Sequence, residues 1–243
     1  MGAEATLRVH EVTKRFGGVT AVDRASLTLP PASILGLIGP NGSGKTTLLN
    51  VINGVHRPDS GTIELDGTTL VGRPPHRLVD LGLARTFQNT HVFKTLTVYQ
   101  NMLLPTLHLG RDRQGRAHRA LELLEFVGLR AHRDQPASEL SGGQQKLLEF
   151  ARALVTDPRV VLMDEPFAGI HPEIKALLLE RIRERARAGT SFLIVSHEIP
   201  ELMSLSDAMI CLAQGRCIAA GTAAEVAENE QVIEAYLGHQ VTA

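Results

Sequence analysis

Three short stretches hold residues able to do chemistry together: Gly39-Pro40-Asn41-Gly42-Ser43-Gly44-Lys45-Thr46-Thr47, the acidic pair Asp164-Glu165, and Ser196-His197. In the first, the glycines let successive backbone N–H groups point at a polyanion without interference from a Cβ, and a helix opening just behind adds its positive end. Lys45 would then reach the β- and γ-phosphates of a nucleotide, and the Thr46 hydroxyl would ligate Mg²⁺. Asp164 can hold Mg²⁺ through water, while Glu165 can orient or deprotonate an attacking water.

These groups need elements that deliver them to one place. The apolar run Ile34–Ile38 predicts a strand feeding the glycine loop, and Leu48, Leu49, Val51 and Ile52 recur at helical spacing up to Asn53-Gly54. Val160–Met163 predicts a buried strand with the two carboxylates at its end, the edge where open α/β sheets bind ligands. Ser191–Val195 predicts another, which brings His197 to the same edge. A lone histidine is often structural; one placed there can sense a γ-phosphate. Leu83–Phe87 predicts a strand ending at Gln88, either a plain polar terminus or a contact to a metal or water near the phosphates.

Residues 5–12 and 26–38 read as strands joined through Lys14-Arg15-Phe16-Gly17-Gly18, and Thr62–Gly67 as a further strand closing on a turn, so an antiparallel sheet is expected beside the loop. Phe16 is the only aromatic in the first 86 residues, in a polar, glycine-rich turn; it could stack on a base or fold back onto the sheet. The fold class is α/β, a phosphate-loop core (1–88 and 158–243) with this antiparallel β subdomain and an inserted helical subdomain (89–157). In that lobe Leu121, Leu123, Leu124, Phe126 and Val127 fall at helical spacing. Leu140-Ser141-Gly142-Gly143-Gln144 opens another helix, with Ser141 and Gln144 in capping-box spacing and its first N–H groups open to an anion. Pro172 starts a helix that runs to Arg187 and stops at Gly189.

With 243 residues and 43% hydrophobic content, the chain can bury one substantial core with a small lobe attached. Its formal charge of −1 supplies no global basic field, which argues against a nucleic-acid partner held by charge. Cys211 and Cys217 flank Gln214-Gly215 in an expected hairpin and read as reduced thiols, since no secretory signal is recognisable. No run of about 20 apolar residues is present, so no transmembrane segment is expected.

Taken in order, these motifs resemble those of the nucleotide-binding subunit of an ABC transporter, and the likeness covers essentially the whole chain. The phosphate loop is Gly39–Thr47, the Q-loop is at Gln88, the signature is Leu140–Gln144, the Walker B run is Val160–Glu165 and the switch histidine is His197. The resemblance implies an ATPase that binds ATP and Mg²⁺, with Phe16 on the adenine and Thr46, Gln88 and Asp164 around the metal. It implies a head-to-tail dimer, with itself or a paralogue, in which each phosphate loop faces the partner's Ser141–Gln144. Glu165 would be the base, His197 would contact the γ-phosphate, and Gln88 would link the site to two membrane-spanning permease subunits. Such a subunit sits on the cytoplasmic face of the membrane, and a solute-binding protein is expected in the full complex.

Finer features look like the branched-chain amino acid import branch: Lys14-Arg15-Phe16-Gly17-Gly18, Ala84-Arg85-Thr86-Phe87-Gln88-Asn89 and Val232-Ile233-Glu234-Ala235-Tyr236-Leu237-Gly238. One departure is His171, where members usually carry Asp or Asn. Within the family, another cargo (urea, other amino acids, or an exported lipid) is the neighbouring reading. A non-transport ATPase acting on nucleic acid or ribosomes is a reading of a different class. Such proteins tend to carry tandem cassettes or long coiled coils, for which this chain has no room. A phosphate-loop kinase would leave the signature unexplained.

Overall fold

β1 (Leu7–Phe16) and β2 (Val19–Leu29) pair antiparallel around a turn at Gly17-Gly18, with Phe16 opposite Val19. The computed structural model describes residues 6–88, 91–107 and 113–237; Asn89 and Gly238 of the expected motifs lie outside these. β4 (Ser60–Leu65) pairs antiparallel with β1 and β5 (Thr68–Thr69) with β4, giving a sheet in the order β2-β1-β4-β5. β1 runs on to Phe16, beyond the expected end at residue 12, by absorbing irregularities between Val9 and Lys14, where Glu11 takes a φ of 46°. The expected strand over 26–38 is two strands in two sheets. Pro30 and Pro31 lack the N–H a ladder needs, so β2 stops at Leu29 and β3 (Ile34–Ile38) starts afresh.

The second sheet has the order β10-β9-β3-β8-β7-β6. It comprises β6 (Leu83–Arg85), β7 (Val160–Asp164), β8 (Ser191–Val195), β9 (Ala208–Ala213) and β10 (Arg216–Gly221), parallel except for the β9–β10 hairpin. β3, β7 and β8 are buried at every position, as strands covered on both faces must be. Their alternation divides the core. Leu35, Leu37, Val160, Leu162, Leu193 and Val195 face one apolar cluster shared with the antiparallel sheet and α1 (Lys45–Ile52). Ile34, Ile38, Val161, Met163, Phe192 and Ile194 face another shared with the helices.

Between β6 and β7 lie α3 (Val98–Leu103), α4 (Arg113–Phe126) and α5 (Gly142–Leu154), packed on one another; α2 (Pro75–Asp80) precedes β6. The capping box at Ser141 forms as expected: Gln144 N–H donates to Ser141 Oγ and Ser141 N–H to Gln144 Oε1. α6 (Pro172–Arg187) buries Leu178 and Ile182, and His171 Nδ1 accepts from the Glu173 N–H at 3.5 Å. The imidazole thus stands in the N-cap role that an Asp or Asn side chain fills.

α7 (Ile199–Leu205), α8 (Ala223–Ala227) and α9 (Glu230–Leu237) are the last three helices of the described residues. The two cysteines are free: Cys211 pairs across the hairpin with Ala219 and Cys217 with Leu212. Burial pushes the Cys211 thiol up to about 11. Among the described residues no helix is long and apolar enough to cross a membrane.

Candidate functional site

The loop between β3 and α1 turns on glycines at positive φ, Gly39 at 150°, Gly42 at 76° and Gly44 at 102°. A Cβ at Gly39 would lie 2.0 Å from the Leu212 carbonyl oxygen and one at Gly44 2.2 Å from that of Ala21, so no other residue fits this close approach. The β9–β10 turn braces the loop, with Gly215 N–H donating to the Ser43 carbonyl at 3.0 Å. Lys45 folds back across it: Nζ donates to the Gly39 carbonyl at 2.7 Å and the Pro40 carbonyl at 2.9 Å. Burial pushes the Lys45 ammonium down, opposed by the charges of Glu165 and Asp164. The buried hydroxyl of Ser43 has no hydrogen-bond partner among the described residues, a polar atom in the cradle ready for a ligand oxygen.

A cavity of roughly 290 Å³ opens over this loop, lined by Asn41 to Thr47 and by Gln88, Asp164, Glu165 and His197. The sheet order explains the gathering. β3, β8, β7 and β6 are adjacent and parallel, so their C-terminal ends put the loop, His197, the acidic pair and Gln88 along one edge. β6 stops at Arg85, two residues before the expected end, so Gln88 projects from a loop beyond the strand.

Asp164 is buried; burial pushes its carboxyl up, and Arg85 opposes the shift with Nη2 at 3.5 Å from Oδ2. Glu165 takes a φ of 50°, an uncommon conformation held by its N–H bond to the Val195 carbonyl at 2.9 Å. Glu165 Oε2 accepts from the His197 N–H at 3.0 Å, and Oε1 lies 3.4 Å from His197 Nε2. Phe16 is 44% exposed, so it does not fold into the core, and its ring meets His56 edge-on at 5.1 Å. It does not line the cavity, and neither does Gly39 or Pro40. Ser141, Gly142, Gly143 and Gln144 also stand apart, at the start of α5.

Four residues assigned no role from the sequence turn out to support the site. Arg85, besides Asp164, donates from Nη1 to Asn50 Oδ1 at 2.7 Å and lies over the Phe87 ring. Lys146 Nζ donates to the Gln88 carbonyl at 2.8 Å and reaches the Glu165 carbonyl at 3.5 Å. Glu149 Oε1 accepts from the N–H groups of Phe87 and His91 at 3.3 and 3.4 Å, and burial pushes its carboxyl up. Tyr236 Oη accepts from the Gly39 N–H at 2.9 Å. The spacing of Lys146, Glu149 and Arg152 along one face of a helix was the available signal; Tyr236 stood in the quoted Val232–Gly238 tail, but nothing there pointed to Gly39.

A family profile described as ABC transporter matches residues 22–168, and one described as branched-chain amino acid ATP-binding cassette transporter matches residues 216–242. The chain is 37% identical to the high-affinity branched-chain amino acid transport ATP-binding protein LivG of Escherichia coli K12, over 97% of this chain and 99% of the relative. It is also 37% identical to the probable LivG of Archaeoglobus fulgidus, over 96% of each, and 36% to BraF of Pseudomonas aeruginosa, over 96% and 97%. A solved nucleotide-free ATP-binding cassette from an ABC transporter superposes with a TM-score of 0.88 at 32% identity, over 96% of this chain and 98% of the other. Motifs, fold and near-full-length identity agree: the chain belongs to the ABC transporter family, as one of its ATP-binding cassettes.

Proposed function

We propose that this chain is the ATP-hydrolysing subunit of an importer for branched-chain amino acids. It works on the cytoplasmic face of a membrane as a dimer of cassettes, with two permease subunits and a solute-binding protein. The observation that carries the reading is the single cavity joining the phosphate loop, Asp164, Glu165, His197 and Gln88, with the Ser141 motif left outside it. One chain holds the base and the phosphate cradle, and the anion-binding helix start has to come from a second chain. The cargo rests on the relatives' printed names and on the profile matched at the C-terminus.

The residues present fit Mg²⁺. Among the described residues no cluster of three or more His, Cys, Asp or Glu could hold a metal alone. Mg²⁺ shared with substrate phosphates needs only one or two protein oxygens, and Thr46, Gln88 and Asp164 line the same cavity. When bound, the ion would neutralise charge on the phosphates. Glu165 would polarise the attacking water, with His197 at the γ-phosphate and Phe16 against the adenine. Gln88 would report the state of the site to the permease.

Gentle solubilisation of membranes containing the tagged protein tests the assignment. The expected result is co-purification of two multi-span proteins and a cassette partner, with ATPase activity that rises when leucine, isoleucine or valine is supplied to the reconstituted complex. Recovery of only soluble proteins, ribosomes or DNA would reject the transport role.

A further inference from the structure

Gly39, the first residue of the phosphate loop, is held through both of its backbone polar groups. Lys45 takes the Gly39 carbonyl, and the phenol of Tyr236, 197 residues later in the chain, takes the Gly39 N–H. Gly39 cannot move toward β9, because the Leu212 carbonyl already occupies the space a Cβ would need. α9, which carries Tyr236, is seated by Val232 in the core, and its Gln231, Glu234 and Ala235 line a second cavity together with Pro40, Gly42 and Ser43. The helix therefore faces the loop across more than one residue.

We propose that Tyr236 is a positioning residue for nucleotide binding: its hydroxyl fixes the Gly39 N–H, and through it the start of the cradle, from outside the cavity. The inference rests on the reading of Gly39–Thr47 as the nucleotide's phosphate site. A lysine that turns from the Gly39 and Pro40 carbonyls toward phosphates gives up both of its bonds to the loop's start. The Tyr236 hydroxyl is then the side-chain anchor left on the Gly39 backbone. Burial pushes the phenol up to about 12, and the neutral hydroxyl accepts the N–H bond through an oxygen lone pair.

The test compares full-length wild type, Tyr236→Phe and Lys45→Ala for binding of a fluorescent ATP analogue with Mg²⁺, for KM and kcat of ATP hydrolysis, and for nucleotide-free melting. Tyr236→Phe keeps the ring and loses one hydrogen bond. The expected result is a dissociation constant and KM raised about 2–10-fold with kcat nearly unchanged, and a nucleotide-free melting midpoint lowered by about 2–4 °C, the worth of one lost hydrogen bond. Wild-type affinity in Tyr236→Phe, alongside lost binding in Lys45→Ala, overturns the inference alone. A fall in the melting midpoint large enough to leave Tyr236→Phe partly unfolded at the assay temperature also overturns it, since the hydroxyl would then serve helix docking. Undiminished binding in Lys45→Ala overturns the phosphate-loop reading and the inference with it.

Discussion

In the proposed mechanism Glu165 is the residue on which hydrolysis turns. Its carboxylate follows a buried strand, its backbone holds a φ of 50°, and both oxygens face His197. Such a conformation costs energy and persists only where the surroundings over-determine it; here the Val195 carbonyl and the His197 N–H do so. Replacement by Gln preserves an oxygen acceptor for that N–H and removes the base. Turnover in Glu165→Gln should fall about 10²–10⁴-fold while ATP binding persists, as read by steady-state hydrolysis and nucleotide titration. Near-normal turnover would remove Glu165 from the role of base.

At the scale of elements, α5 ties the signature to the Q-loop. Lys146, Glu149 and Arg152 recur every third residue, and all three touch backbone groups in the stretch from Phe87 to His91. Glu149 is 3% exposed, and burial outweighs the pull of Lys146 and Arg152, leaving its carboxyl raised. The folded protein therefore takes up a proton at higher pH than the unfolded chain does. Stability contributed at this site is greatest at low pH and is lost as pH rises through the window between the ordinary carboxylate value and the raised one. Glu149→Gln keeps the acceptor and removes that slope. Its melting midpoint should match or exceed wild type at neutral pH, with the difference shrinking on acidification. A midpoint well below wild type at pH 7 would show that the charge itself holds the loop.

At the scale of the whole molecule, the site is complete only in part. The cavity is lined by the phosphate loop, the proposed base and the oxygens proposed for Mg²⁺, while Ser141 and the start of α5 do not line it. Two chains head to tail would bring each signature to the other's loop. A variant that binds ATP and cannot hydrolyse it should then accumulate as a dimer. Light scattering after gel filtration should show Glu165→Gln as a dimer with MgATP and a monomer without it, and Lys45→Ala as a monomer in both. A monomeric Glu165→Gln at saturating MgATP would refute the sandwich.

The sequence by itself determined the features whose chemistry is local. Gly39–Thr47 sits between a short apolar strand and a helical repeat; the capping box spans Ser141 to Gln144; the acidic pair follows four apolar residues. The capping box is legible because its hydrogen bonds close within a few residues, and the other two because their residue types are contiguous, although Ser43 and Glu165 bond to distant backbone. Tertiary structure decided what depends on distant partners. The break of residues 26–38 into two sheets follows from pairing with β1 on one side and with β8 and β9 on the other, even though Pro30 marked the place. The order β3-β8-β7-β6 puts His197, Glu165 and Gln88 on one edge. Arg85 against Asp164 and Tyr236 against Gly39 join residues 79 and 197 positions apart. No spacing encodes such contacts, because they arise from how packed layers bring remote segments together.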